Sequence, residues 1–179
     1  MLLALVAVVA GVLAGLATGR RPPTTPQRWR LPGLIAVGVA LEFGGQHLVD
    51  GPPGRLLMDV GYATLVVFAA LNARRTGLVL IAAGLAANLL VVVVDGGMPV
   101  RDQPPTARLA GQHHGLSSRD HLTFLADTID VRPVHVTFSP GDIVAALGAA
   151  VAVFAGMETP DPAPPEGRRR PGRNVTAPL

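Results

Sequence analysis

Apolar residues gather into five runs, near residues 1–18, 31–49, 56–72, 77–95 and 142–157, each closed by arginine, proline, glycine or a carboxylate. Runs of this length predict membrane-spanning helices. The expected fold is therefore all-α, a five-span transmembrane bundle over residues 1–158. The stretch Leu78 to Val100 carries a single amide, Asn88, seven residues before Asp95, and breaks at Gly96-Gly97-Met98-Pro99. Seven residues are two helical turns, so the two groups share a face, and in hydrocarbon both need partners.

The breaks between runs are equally informative. Met1 to Thr18 has no arginine before it and Gly19-Arg20-Arg21 directly after it, the reverse of a cleavable signal peptide, which predicts a retained helix with its N-terminus outside. Arg20 to Arg30 is a proline-broken basic linker containing Trp29. Asp50-Gly51-Pro52-Pro53-Gly54 reads as a tight exit turn. The outer loop, residues 96–141, is the one long polar connection. Within it His121 to Ile129 places Leu122, Leu125 and Ile129 at helical spacing and predicts a short interfacial helix. Ser139 reads as the N-cap of the fifth span, with Asp142 in its first turn. Residues 159–179, rich in proline and arginine, are expected to form a disordered cytoplasmic tail.

Composition supports the membrane reading. Hydrophobic residues make up 49% of the 179 and charged residues 15%, against about 25% charged in ordinary soluble domains. Cysteine is absent, which excludes disulfides and thiolate chemistry. All 15 basic residues are arginine, and alanine, glycine and proline are abundant, as in proteins of GC-rich bacteria. The arginines border the apolar runs instead of forming a patch, so no nucleic-acid partner is expected. Arg20, Arg21, Arg28, Arg30, Arg74, Arg75, Arg168, Arg169, Arg170 and Arg173 fall on one side of a five-span topology, and Arg55, Arg101, Arg108, Arg119 and Arg132 on the other. Ten against five places the C-terminus in the cytoplasm of a multi-pass protein of the bacterial cell membrane.

The polar residues sort to the outer side. Glu42, Gln46, His47, Asp59, Asn88, Asp95 and Ser139 form the expected polar cluster, with Tyr62 one turn from Asp59. Helix ends ordinarily carry polar residues, which accounts for Asp50, Asp59 or Asp142 taken singly. It does not account for Glu42 and Asn88, which lie within the apolar thickness. His113, His114, His121 and His135 suggest a metal site with a nearby aspartate, but no two have the i,i+4 spacing of a zinc pair. The expectation is no metal and no cofactor.

Two resemblances follow from these motifs. Asn88, Asp95-Gly96-Gly97-Met98-Pro99-Val100, His113-His114, Phe124-Leu125-Ala126-Asp127 and Ser139-Pro140-Gly141-Asp142 resemble the signature of a family of bacterial membrane proteins of unknown function, usually Asn-Gly-Gly-x-Met-Pro-Val. Here Asp95 replaces the usual Asn, and the residue between Gly97 and Met98 is missing. The closing part is also similar to lipoprotein signal peptidase, whose Val-Val-Asp-Phe and Phe-Asn-x-Ala-Asp segments supply a catalytic aspartate pair. That resemblance implies Asp127 and Asp142 as a catalytic dyad. No Asp-Arg pair follows Asn88, and Ser139 stands where that enzyme has Asn. The function expected first is a non-catalytic module that binds membrane lipid or a lipid-like or peptide-like ligand, or supports a membrane-protein or lipoprotein partner. The alternative is a membrane-embedded aspartyl hydrolase.

Overall fold

A computed structural model describes residues 2–101, 103, 113–131 and 136–160. It contains α1 (Leu2–Ala17), α2 (Gly33–His47), α3 (Gly51–Leu71), α4 (Leu78–Asp95), β1 (Met98–Val100), β2 (His113–Gly115), β3 (Ile129–Val131), β4 (Val136–Phe138) and α5 (Pro140–Gly156). The helices pack as a row in the order α2, α3, α4, α5, α1. Most of the tail expected at 159–179, and His135, lie outside the described residues.

Helix boundaries follow local chemistry, with one correction. The presumed turn at residues 50–54 is instead the start of α3, with Asp50 at the N-cap position and proline in the first turn. Proline's fixed φ suits that turn, and its missing N–H would have lacked a helical partner anyway. The α5 start is a capping box: Asp142 N donates to Ser139 Oγ at 3.0 Å, and Ser139 N donates to Asp142 Oδ2 at 3.1 Å. Gly96, with φ of 71°, closes α4 in the left-handed conformation that glycine adopts without Cβ strain.

Among the described residues, α3 with 21 residues and α4 with 18 are long and apolar enough to cross a membrane. The helices α1, α2 and α5 have 16, 15 and 17 residues. At 1.5 Å per residue they reach only about 23–26 Å, against a hydrocarbon core of about 30 Å. Five full-length crossings are therefore not supported; the apolar runs extended into linker residues that do not continue the helices.

Glycine pairs set the spacing between helices. A Cβ on Gly38 would lie 3.0 Å from Gly61 O, and one on Gly45 would lie 2.4 Å from Gly54 O. The same arrangement joins α4 to α5: a Cβ on Gly84 would lie 2.4 Å from Gly141 O, and one on Gly148 would lie 2.7 Å from Gly77 O. In each antiparallel pair the glycines are seven residues apart on both helices, so they meet on one seam over two turns. Backbones approach there without side chains between them, as in helix packing driven by small residues.

Large apolar side chains meanwhile point outward. Leu5, Leu13, Ile35, Phe43, Leu56, Val60, Val79, Val93, Ile143 and Leu147 are exposed, whereas the buried set includes Asn72, Asn88, Asp127 and Ser139. An apolar exterior of this extent, spread over all five helices, calls for an apolar surrounding or covering partner.

The outer connection is not the helix-bearing loop the spacing predicted. Residues 123–125 form one turn of 3-10 helix, and Ile129 enters β3, paired antiparallel with β4 through Ile129 and Phe138. β1 pairs parallel with β2, Met98 opposite His113. Asp127 N donates to Pro99 O at 2.9 Å, and Arg101 N donates to Asp127 O at 3.0 Å. These backbone groups, once committed to the β1 ladder, are unavailable to an i→i−4 helix. The fold is thus mostly helical with two small sheets over one end of the row.

Candidate functional site

Asn88 is the junction of that end. Its Nδ2 donates to Asp142 Oδ1 at 2.7 Å and to Tyr62 OH at 3.3 Å, while its Oδ1 accepts from Ser139 Oγ at 2.9 Å. One amide thereby ties α3, α4 and the start of α5 together. Asn88 is 3% exposed and Ser139 0%, so the bond between them forms where water does not compete.

The β1 ladder adds a second carboxylate. By bridging to Val100, Asp127 is brought beside His113 of the neighbouring strand, with Oδ2 3.4 Å from His113 Nε2. A cavity of about 500 Å³ lies between these groups and the helices, within the roughly 300–1,000 Å³ range of small-molecule sites. Its polar lining includes Glu42, Tyr62, Asn88, His113, Asp127 and Asp142; its apolar lining includes Leu3, Met58, Ile81, Leu85, Val92 and Ala149. All five helices contribute. Glu42 Oε1 is buried and has no hydrogen-bond partner among the described residues.

The residues singled out from the sequence are therefore divided. Glu42, Gln46, Asn88, Asp127 and Asp142 line one cavity, and Ser139 is bonded to its floor. His47 is exposed and packs against Phe43, with ring centroids 4.7 Å apart. Asp59 is half-buried on α3 and does not line the cavity. Asp95 shares the Asn88 helix but faces the loop, where its oxygens accept from His121 N at 2.7 Å and Leu122 N at 3.0 Å.

The described histidines of the outer loop go to separate carboxylates: His113 to Asp127, His114 to Asp120 and His121 to Asp95. Among the described residues no three metal-ligating side chains converge. His113, His114 and His121 each stand beside a different aspartate, and His135 lies outside the described residues. His113 gains its place on the cavity from strand pairing, which no helical or zinc spacing signals.

Asp95 has a structural consequence of its own. Its side chain is fully buried while accepting two backbone N–H groups, with His121 Nδ1 3.3 Å away. Asp95→Ala is expected to cost about 2 kcal/mol by stranding those donors, and to speed amide exchange at His121 and Leu122 while leaving the middle of α4 protected. Hydrogen-exchange mass spectrometry checks this; unchanged protection at both amides would contradict it.

The class is now defined: a mostly helical protein with an apolar exterior, two helices of membrane-crossing length, and a carboxylate-bearing cavity roofed by small strands. The model of DUF5317, a family of unknown function, matches residues 51–154, and the chain belongs to that family. The match runs from the start of α3 to near the end of α5, and so includes Asn88, Asp127, Ser139 and Asp142. No curated protein and no solved structure matches the chain.

Proposed function

We propose that the protein lies in the cell membrane with all five helices embedded and holds, at the outer face, an amphipathic lipid-like or peptide-like ligand whose head donates hydrogen bonds. The carrying observation is the composition of the cavity lining: three carboxylates, Glu42, Asp127 and Asp142, against one imidazole, with apolar side chains of the same helices beside them. Glu42 Oε1, without a hydrogen-bond partner among the described residues, is the acceptor such a head would satisfy. The apolar chain would run along Leu85 and Val92 toward the break in the row between α1 and α2. The three shorter helices would be accommodated by local thinning of the bilayer around them. The ten-to-five arginine bias supports an outside N-terminus and a cytoplasmic C-terminus.

A long-chain primary alkylamine is the probe. It should raise the thermal midpoint of the purified chain in zwitterionic detergent, with about tenfold weaker binding to Glu42→Gln, which removes a charge-assisted contact. Leu85→Trp, which fills space along the apolar lining, should abolish the shift. No shift for the parent, or equal shifts for all three proteins, would remove this reading.

A second reading is favoured by the shared position of Asp127 and Asp142 on that cavity. Two carboxylates in one low-dielectric site can divide the work of amide hydrolysis: the ionised one takes a proton from water as its oxygen attacks the carbonyl, and the protonated one gives its proton to the leaving nitrogen. Asp142, which accepts from Asn88 and Ser139 N, suits the ionised role. If the protein is a hydrolase, Asp127→Asn and Asp142→Asn should each fail to restore lipoprotein processing in a deletion strain, with alkylamine binding retained. Processing equal to the parent in both variants would eliminate hydrolysis and leave ligand binding standing.

A further inference from the structure

The opposite end of the helix row carries a second recess. The linker between α1 and α2 folds back across the helix ends. Gln27 Nε2 donates to Gly156 O at 3.3 Å, and Arg75 donates from NH1 to Gln27 Oε1 at 3.0 Å and from NH2 to Arg28 O. The Arg75 guanidinium also lies over the Trp29 ring, 4.7 Å from its centroid, and Trp29 in turn meets Phe68 at 5.9 Å. Arg75 is thereby immobilised with part of its five-donor fork still unused.

This arrangement bounds a cleft of about 220 Å³ whose polar lining is Gln27, Arg74, Arg75 and Thr76, with Trp29 beside them. Among the described residues no carboxylate lines it. The Glu158 carboxylate at the same end is occupied by Thr24, accepting its N–H at 2.9 Å and its hydroxyl at 3.2 Å. Arg74 is exposed and has no partner among the described residues. The cleft shares no lining residue with the outer cavity.

We infer that this cleft binds a phosphate group, gripped between Arg74 and Arg75 with Thr76 and Gln27 supplying neutral hydrogen bonds. Paired guanidinium groups match phosphate geometry, and fixing one of them beforehand lowers the ordering cost of binding. Phosphate of this kind comes from an anionic lipid headgroup or from solution.

Trp29 is the single tryptophan of the chain and lines the cleft, so its fluorescence reports on occupancy directly. The full chain in zwitterionic detergent is titrated with short-chain phosphatidylglycerol and, separately, with inorganic phosphate. A saturable change in Trp29 emission is expected, with Kd raised about tenfold in Arg74→Gln. A response to the lipid alone assigns a headgroup site, and a response to both assigns a general phosphate site. Arg75→Gln should abolish the response but also loosens the linker, so Arg74→Gln, whose side chain has no hydrogen-bond or ionic partner among the described residues, is the deciding variant once its thermal midpoint matches the parent's. No saturable change with either probe, or the same Kd for Arg74→Gln and the parent, would overturn the inference. These variants leave the outer cavity intact, so failure here is separable from failure of the amphiphile reading.

Discussion

Gly84→Val should lower the thermal midpoint of the purified protein by roughly 10 °C, the equivalent of about 3 kcal/mol of overpacking. A Cβ at residue 84 would lie 2.4 Å from Gly141 O and 2.6 Å from Ala145 N, both backbone atoms of α5. Backbone cannot rotate aside as a side-chain tip can, so α4 and α5 must separate along their whole seam. Separation carries Asn88 away from Ser139 and Asp142, and the outer cavity opens with it. Gly44→Ala is the matched control, since a Cβ there would meet nothing within 4 Å; it should leave the midpoint close to the parent's. A normal midpoint for Gly84→Val would mean that the close α4–α5 contact does not hold the fold together.

Asn88→Leu is expected to cost about 3 kcal/mol despite its similar size. It deprives Asp142 Oδ1 and Tyr62 OH of a donor and leaves the Ser139 hydroxyl without its acceptor, and each stranded buried group costs about 1–3 kcal/mol. Asn88→Asp keeps the shape but sets two carboxylates face to face, where the amide nitrogen now lies 2.7 Å from Asp142 Oδ1. Exchanging the pair, Asn88→Asp with Asp142→Asn, restores one donor opposite one acceptor. The double variant should therefore be more stable than Asn88→Asp alone, a non-additivity that thermal or denaturant unfolding of the four-member set measures directly. Additive losses would mean that the two side chains do not interact.

Much of the site was legible because polar groups inside apolar runs are conspicuous. Asn88 and Glu42 stand out for their cost in an apolar setting, and both face the cavity. The capping chemistry of Ser139 and Asp142 was equally readable, since an N-cap and its first-turn carboxylate are local in sequence. The interfacial helix failed for a different cause. Leu122, Leu125 and Ile129 have helical spacing, yet the backbone around them answers to Asp95 and to Pro99, dozens of residues away in the chain. Periodicity describes which face a segment would present, not which partner claims its N–H groups. The turn read at residues 50–54 failed for a simpler reason: proline and glycine mark turns and first helical turns alike.

Taken alone, the amino-acid order determined the apolar helices, the charge bias of their ends and the presence of costly polar groups within them. These are properties of single segments, governed by period, propensity and burial cost. The tertiary structure alone decided that Asp127 meets His113 while Asp95 turns to the loop, and that Arg75 lies over Trp29. Each of those pairings joins residues whose chain separation carries no periodic signal, and each arises only after strand pairing or linker docking has brought two backbones together.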